Sequence, residues 1–385
     1  MPTTESPRAA RLAIRELERR LPLRPEDVDA FLKKHDFPLA EGTSVTFVHR
    51  GMADAVMLRH WVYGLPSSQP FRRIPGTDLW YLILELPAGS RVEYKLEVVR
   101  GPHHQWIADP LNPHRARDPF GANSICQATG YEIPEWTQED PAARAGRIEE
   151  MSVPGSGGDH PIRVYLPARY RESRRYPLLV VHDGTDYERY ASLKIVLDNL
   201  IHRLEIPSMV VALTDPGNRM EEYVDSEGHA RFLVEELVPH LEKELPLRAR
   251  PGGRGLMGAS LGAVATLSTA ARYPGFFGRL LLQSGSFAFS DIGLQERGPA
   301  FDPVADFVNG YRDDPVRVAE RVFLSCGTHE SLIYENRSLV PLLQATGMDV
   351  RYEEARDGHH WENWRDRLRT GLSWLFPGPL WMVYE

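Results

Sequence analysis

The stretch Gly258-Ala259-Ser260-Leu261-Gly262 is a G-x-S-x-G pentapeptide that lies between a short apolar run, 255–257, and a segment of helical periodicity, 261–272. In a strand–turn–helix context this pattern forms a nucleophile elbow. The serine there has a strained backbone, and glycines stand where side chains would collide with the neighbouring chain. The pattern therefore predicts that Ser260 is a nucleophile at the beginning of a helix, with the Leu261 amide facing a developing oxyanion.

Strand-like apolar runs alternate with helical segments through the rest of the C-terminal part of the chain. The predicted strands are 163–166, 176–181, 209–213, 279–284, 322–325 and 350–353, with a weaker one at 148–153. The predicted helices are 192–204, 228–245, 261–272, 336–346 and 361–376. Alternation of this kind predicts an α/β fold, a doubly wound sheet of mostly parallel strands over residues 141–385.

The N-terminal part of the chain has a different pattern. Residues 1–38 have helical periodicity and predict two short helices. Between 39 and 140, strand-like runs separated by Gly and Pro predict a smaller all-β, immunoglobulin-like sandwich. Alternation within these strands places the aromatic residues in the core, namely Trp61, Trp80, Tyr81 and Trp106. A segment rich in Pro and Gly, 131–158, contains the expected domain boundary near residue 140.

A serine nucleophile needs a base within hydrogen-bond reach and an acid that orients the base. In α/β-hydrolases the acid and then the histidine follow the serine in the chain. Glu330 follows the strand 322–325, and His359 follows the strand 350–353, so both lie at carboxyl ends of strands. Asp357 and Asp349 are alternative acids. His359 and the adjacent His360 are alternatively surface residues or weak metal ligands, but consecutive side chains diverge.

Composition excludes several classes of function. The 385 residues carry a net charge of −8 without a block of Lys and Arg, which argues against a nucleic-acid partner. Cys126 and Cys326 alone imply no disulfide framework and suit a reducing compartment. The N-terminus lacks an apolar signal core and no run approaches the length of a membrane span, so we expect a cytoplasmic protein without a membrane partner. No ligand spacing predicts a metal or another cofactor.

Several motifs resemble the enterochelin (enterobactin) esterase family. In the N-terminal part these are 45–47, 76–81, 93–95 and, most specifically, Asp109-Pro110-Leu111-Asn112-Pro113. The run from Gly358 to Arg365, with His359, Trp361 and Trp364, looks like the ending of the wider esterase D superfamily. The resemblance implies an α/β-hydrolase fold after the sandwich and an acidic residue at the position of Glu330. It also implies that His359, and not its neighbour His360, is the catalytic base.

The same resemblance suggests residues that contact the substrate. The segment after the strand 176–181 is similar to the Asp-Gly-x motif of the superfamily, which implies that the Thr185 amide is the second oxyanion donor. The segment 218–223 looks like the family's Arg-x-x-Glu-Leu/Tyr segment, so Arg219 either binds an anionic substrate group or pairs with Glu222. Asp186 and Trp361 are further expected substrate contacts.

The resemblance implies a serine carboxylesterase that hydrolyses a siderophore-type trilactone, including its ferric complex, through an acyl-enzyme. One alternative keeps this chemistry but changes the substrate to a carbohydrate ester. The protein would then be a feruloyl or acetyl esterase with the sandwich as a carbohydrate-binding module. Another alternative is a binding protein that has the hydrolase scaffold and no activity, although such proteins usually lose the serine or the histidine. The sequence keeps both Ser260 and His359.

Overall fold

The computed structural model describes residues 12–155, 158–290 and 298–379. The chain divides into two units. The first contains residues 12–132 together with two short segments from later in the chain, Thr328–Glu330 and Arg356–Gly358, and the second contains the remaining described residues. The division between Glu132 and Ile133 comes a few residues before the predicted boundary at 140.

The first unit has two helices and two antiparallel sheets. The helices are α1 (Ala13–Glu18) and α2 (Pro25–Lys34). The strands are β1 (Leu39–Glu41), β2 (Ser44–Arg50), β3 (Ala55–His60), β4 (Ser68–Pro70), β5 (Arg72–Arg73), β6 (Leu79–Glu85), β7 (Arg91–Arg100), β8 (His103–Ile107), β9 (Arg115–Asp118) and β10 (Gly121–Gln127). One sheet has the order β1-β2-β6-β5 and the other β4-β3-β7-β10-β9, with β8 paired to β7. The predicted all-β N-terminal region is confirmed.

Strand β2 is buried on both of its faces. Phe47 points into the core between the sheets, where its ring meets that of Tyr94 edge to face with centroids 4.9 Å apart. Val48, one residue later, points to the opposite face and packs with Ile14 and Phe31 of the two helices. The N-terminal helices therefore cover the outer face of the first sheet and form part of the core of this unit.

Backbone hydrogen bonds hold the two later segments within the first unit. The amide of Tyr63 donates to the carbonyl of His329 over 2.8 Å, and the amide of Arg91 donates to the carbonyl of Arg356 over 2.9 Å. The side chain of Arg91 is 1% exposed and lies 3.3 Å from the carboxylate of Asp357. All three contacts lie within the first unit.

The second unit contains an eight-stranded sheet. Its strands are β11 (Arg147–Gly155), β12 (Gly158–Leu166), β13 (Leu178–His182), β14 (Val210–Thr214), β15 (Arg254–Ala259), β16 (Arg279–Gln283), β17 (Arg321–Gly327) and β18 (Asp349–Ala355). Their order is β11-β12-β14-β13-β15-β16-β17-β18. β11 and β12 are antiparallel, and the six strands from β14 to β18 are parallel. The predicted, mostly parallel sheet is confirmed.

Helices cover both faces of this sheet. They are α3 (Gly184–Tyr190), α4 (Leu193–His202), α5 (Arg219–Glu222), α6 (Glu227–Arg231), α7 (Val238–Glu244), α8 (Leu261–Arg272), α9 (Asp302–Asp313), α10 (Ile333–Ala345) and α11 (Trp361–Leu375). A π-helical segment, Phe232–Leu237, connects α6 to α7. Alternate residues of each central strand face opposite layers: Val180 packs with α8, whereas Leu179 and Val181 pack with α4 and α11.

The prediction that four aromatic residues lie in the core of the first unit was wrong for two of them. Trp80 and Tyr81 are buried as expected, but Trp61 and Trp106 are about half exposed. Trp106 lies on β8, which pairs with β7 at one edge and is largely exposed, so alternation does not imply burial there. The helices α3, α5 and α9 of the second unit were not predicted from the sequence. Within the described residues, no helix is long and apolar enough to cross a lipid bilayer.

Candidate active site

Ser260 lies in a tight turn between β15 and α8. Its backbone has φ 57° and ψ −121°, a conformation that costs energy for any residue with a side chain. A Cβ atom on Gly258 would lie 2.2 Å from the carbonyl oxygen of Gly262, which is too close for any side chain. The chain can therefore make this turn only with glycine at position 258, and the turn has the predicted geometry of an elbow.

The segment after β16 holds Ser260. The amide of Ser260 donates to the carbonyl of Gln283 over 2.9 Å, and the amide of Ser286 donates to the carbonyl of Ser260 over 3.2 Å. The hydroxyl oxygens of Ser260 and Ser286 are also 3.2 Å apart. Sequence analysis missed Ser286. The sequence does contain a signal for Ser286, because this residue follows the predicted strand 279–284. The carboxyl ends of parallel strands meet at one edge of the sheet, which is where the nucleophile turn also lies.

His359 lies between β18 and α11 and is exposed. Its ring meets that of Trp364 edge to face, with centroids 5.1 Å apart. The indole nitrogen of Trp364 donates to the hydroxyl of Ser284 over 2.9 Å, and the amide side chain of Gln283 donates to the carbonyl of Trp364 over 2.8 Å. Ser260 is thus hydrogen-bonded to the segment at the end of β16. His359 contacts Trp364, which is hydrogen-bonded to the same segment.

The three candidate acids differ in their surroundings. Asp349 begins β18, so it lies at the opposite end of that strand from His359, and its exposed carboxylate is 3.4 Å from Arg321. Asp357 is buried, accepts from the Gly358 amide and is 3.3 Å from the buried guanidinium of Arg91. Glu330 is 3% exposed and follows the carboxyl end of β17. Of the three carboxylates, Asp349 alone lies at the far end of its strand from His359.

The two predicted oxyanion donors have different partners. Leu261 is the first residue of α8, and in the described part of the chain its amide has no acceptor. The amide of Thr185 donates to the carboxylate of Asp215 over 3.0 Å, and the hydroxyl of Thr185 donates to the same carboxylate. The Thr185 amide would have to leave Asp215 to reach an oxyanion.

Arg219 pairs with Asp183 and not with Glu222. Its Nε and Nη2 atoms donate to the two carboxylate oxygens of Asp183 over 3.1 and 3.0 Å. Asp183 has a left-handed backbone with φ 52° and is buried, and burial raises the pKa of its carboxyl group although Arg219 lowers it. Glu222 accepts instead from the amides of Gly217 and Asn218.

The other two expected substrate contacts lie near this region. Asp186 is partly buried, and both burial and the neighbouring carboxylates of Asp183 and Asp215 raise its pKa. The ring of Trp361 is partly buried and packs edge to face on Tyr187 and Trp364, with centroids 5.2 and 4.7 Å away. Trp361 is therefore mainly part of an aromatic cluster beside α3.

A cavity of about 870 Å³ opens beside the carboxyl end of β14. Ser260 is not among its lining residues. The polar residues of its wall include Arg163, Thr185, Asp215, Glu222 and His229. In the described ranges, no group of three or more His, Cys, Asp or Glu side chains is arranged to hold a metal ion.

Comparison with known proteins decides the family. The model of a family described as putative esterases matches residues 155–375, which is more than half of the chain. The chain belongs to this esterase family. The iron(III) enterobactin esterase of Escherichia coli O6:H1 (strain CFT073) is 25% identical over 353 residues, which are 82% of this chain and 85% of that protein. The uncharacterized protein YjcH of Bacillus subtilis is 29% identical over 218 residues, 54% of this chain and 88% of its own.

Solved structures agree on the fold. The crystal structure of the ferric enterobactin esterase of Salmonella typhimurium superposes with a TM-score of 0.72 at 21% identity and covers 86% of this chain and 93% of that chain. The expected α/β-hydrolase fold is therefore confirmed. Membership in the esterase family supports the hydrolysis of a carboxylic ester as the reaction class.

Proposed function

We propose that this member of the esterase family is a serine carboxylesterase. Ser260 attacks the ester carbonyl, His359 accepts the proton of its hydroxyl and passes it to the departing alcohol, and Glu330 orients His359. Water then hydrolyses the acyl-enzyme by the same route in reverse. The observation that carries the proposal is the left-handed turn of Ser260 between β15 and α8.

The turn also supports Leu261 as a donor to the negative charge that develops during the reaction. The first amide of α8 belongs to Leu261, and the positive end of the helix dipole is at this terminus. An oxyanion formed by attack of Ser260 would accept a hydrogen bond from this amide. The Ser286 hydroxyl, 3.2 Å from that of Ser260, orients the nucleophile before the attack.

For the substrate we propose a siderophore-type trilactone, including its ferric complex. The support is the relative named an iron(III) enterobactin esterase, which aligns with most of this chain. The test is to incubate the enzyme with ferric enterobactin, aryl esters and acetylated sugars, and to separate the products by chromatography. Turnover of the trilactone at least tenfold above that of the other esters supports this substrate. A preference for the sugar or aryl esters would contradict it.

A carbohydrate ester is the second candidate substrate, and the surface of the first unit is the observation that favours it. The ring of Trp106 is about half exposed and lies beneath the guanidinium of Arg59, 5.1 Å from the ring centroid. Exposed aromatic rings of this kind can stack on sugars. Affinity electrophoresis in xylan or glycogen tests binding. Trp106→Ala should abolish retardation if the sandwich binds carbohydrate, and Trp61→Ala, at another exposed tryptophan of this unit, is the control.

The third candidate is a binding protein without activity. Hydrolysis of p-nitrophenyl butyrate by the wild type, and its loss in Ser260→Ala, would exclude this candidate.

We further propose that the protein acts in the cytoplasm. Cys126 and Cys326 are both buried thiols and not half-cystines, which suits a reducing compartment.

A further inference from the structure

One buried side-chain amide lies where three segments of the candidate active site meet. Gln283 is the last residue of β16, and it is fully buried. Its Oε1 atom is 2.8 Å from the hydroxyl of Tyr187, and its Nε2 atom is 2.8 Å from the carbonyl oxygen of Trp364. Its backbone carbonyl accepts from the amide of Ser260 over 2.9 Å. The catalytic steps proposed above do not use the side chain of Gln283.

The two partners of this amide determine its orientation. The carbonyl oxygen of Trp364 can only accept a hydrogen bond, so the NH2 group of Gln283 faces it. The amide oxygen then faces Tyr187 and accepts from the phenol. Burial, and after it the carboxylate of Asp183, raise the pKa of Tyr187 well above its usual value, so the phenol keeps the hydrogen that it donates. Each side of the amide thus has a partner of the required kind.

The contact with Tyr187 leads to the loop after β13. Helix α3 begins at Gly184, and Thr185, whose amide is a predicted oxyanion donor, precedes Tyr187 by two residues. The amide of Tyr187 donates to the carbonyl of Asp183 over 2.9 Å. A hydrogen bond to the Tyr187 side chain therefore holds the first turn of α3, which contains the predicted donor.

The contact with Trp364 leads to the proposed base. Trp364 lies in the first turn of α11, and its amide donates to the carbonyl of His360 over 3.2 Å. Its ring meets that of His359 edge to face, and its indole nitrogen donates to the hydroxyl of Ser284. Gln283 and Ser284 therefore hold both the backbone and the ring of the residue against which His359 packs.

The backbone of Gln283 supports the proposed nucleophile. Gln283 is opposite Ala259 where β16 pairs with β15, and the hydrogen bond from the Ser260 amide continues this pairing by one residue. Ser260 has the strained backbone of the turn, so this hydrogen bond fixes the point at which the strand ends. The side chain and the backbone of one residue thus contact all three segments.

We propose that Gln283 is a positioning residue of the proposed esterase, whose side-chain amide ties Tyr187 to Trp364 and so sets the starts of α3 and α11 relative to Ser260. The proposal rests on the proposed serine mechanism. In such a mechanism a misplacement of about 1 Å can lower the rate on the order of 100-fold. Formation and hydrolysis of the acyl-enzyme use the same groups, so a loss of alignment slows both steps. It should therefore lower kcat and leave KM unchanged.

The test compares two buried tyrosines. Tyr187→Phe removes the hydroxyl that donates to Gln283. The control, Tyr165→Phe, removes an equally buried hydroxyl that donates to the carboxylate of Asp198 over 2.7 Å. For p-nitrophenyl butyrate, kcat per folded molecule should fall about 10-fold in Tyr187→Phe with KM unchanged, and it should change by less than about twofold in Tyr165→Phe. If both variants lower the urea midpoint and neither lowers kcat, Gln283 only stabilises the fold and the proposal is overturned.

A double-mutant cycle tests whether the Tyr187 hydroxyl acts through the amide. Gln283→Met keeps the length of the side chain and removes both hydrogen-bonding groups, so adding Tyr187→Phe to it should lower kcat no further. Effects of the two substitutions that multiply would show that Tyr187 acts by another route, which contradicts the proposal. Tyr187→Phe removes one oxygen atom only, so the first comparison decides the matter if Gln283→Met does not fold.

The same assay separates this proposal from the proposed function. A wild-type protein that hydrolyses no ester would contradict the serine mechanism and the positioning role together. An active wild type, with the same kcat in Tyr187→Phe as in Tyr165→Phe, would contradict the positioning role of Gln283 alone.

Discussion

Arg219 binds Asp183 through two nitrogens, and its Nη2 atom lies 3.5 Å from the carbonyl of Ala259, the residue before Ser260. The pair joins the loop after β13 to the nucleophile turn, although the two residues are far apart in the sequence. Because the carboxylate of Asp183 is buried, removal of Arg219 would leave a charge without a partner.

The first prediction separates two roles of Arg219. Two substrates are compared: p-nitrophenyl butyrate, and a matched p-nitrophenyl ester with a carboxylate at the end of its acyl chain. If Arg219 positions the turn, Arg219→Gln should lower kcat/KM for both esters by the same factor, roughly 10- to 100-fold. If Arg219 binds an anionic group, only the anionic ester should lose this factor. The exposed Arg189→Gln is the control for a change in net charge.

The second prediction concerns Gly258. Gly258→Ala should lower the free energy of unfolding by about 3 kcal/mol and abolish activity, because the new Cβ would overlap the Gly262 carbonyl. Gly310 lies within helix α9, where a Cβ has no atom within 4 Å. Gly310→Ala should therefore stabilise the protein by about 0.5–1 kcal/mol and leave kcat unchanged. Urea denaturation measures both, and equal stability of the two variants would contradict the account of the turn.

The third prediction concerns the acid that orients His359, and it compares variants of two candidate carboxylates. Both Glu330→Gln and His359→Ala should lower kcat. The loss in Glu330→Gln should be roughly 10- to 100-fold smaller than the loss in His359→Ala, since an orienting group contributes less to catalysis than the residue that carries the proton. Asp357→Asn should leave kcat per folded molecule nearly unchanged and destabilise the protein by about 1 kcal/mol, because the buried Arg91 would lose its contact with Asp357 but keep its ion pair with Glu93, 2.8 Å away. The reverse pattern would assign the acid to Asp357.

The adjacent histidines provide a further test. His359→Ala should remove nearly all turnover, on the order of 10⁴-fold, whereas His360→Ala should have a much smaller effect. Steady-state kinetics with p-nitrophenyl butyrate, with circular dichroism as a check of folding, measures both variants. An inactive His360→Ala together with an active His359→Ala would show that the base was assigned to the wrong residue.

Local patterns predicted the features that depend on neighbouring residues. The elbow could be predicted because the positions of its glycines follow from a clash within five residues, between Gly258 and Gly262. The central strands could be predicted because a strand buried on both faces is apolar at every position, as β13 is. Helix α9 also has a visible signal, since its buried residues Val304, Val308 and Tyr311 recur at helical spacing, but this signal was missed.

Features that depend on distant residues could not be predicted in this way. Proximity in the chain suggested Glu222 as the partner of Arg219, yet the fold brings Asp183 to the guanidinium and gives Glu222 backbone amides to bind. The approach of Ser286 to Ser260 depends on the pairing of β15 with β16. The pattern along the chain predicted the strands and their mostly parallel arrangement, but it did not predict which strands are neighbours in the sheet.

The central claim is that Ser260 forms an acyl-enzyme, and trapping that intermediate tests it most directly. We would mix the enzyme with p-nitrophenyl butyrate, quench with acid within milliseconds and locate the butyryl group by mass spectrometry of the peptides. For the wild type, the account predicts a burst of p-nitrophenol and a butyryl adduct on Ser260. For Ser260→Ala, it predicts no adduct and a turnover that is lower by on the order of 10⁴-fold. An adduct on another residue, or hydrolysis by Ser260→Ala at the rate of the wild type, would contradict it.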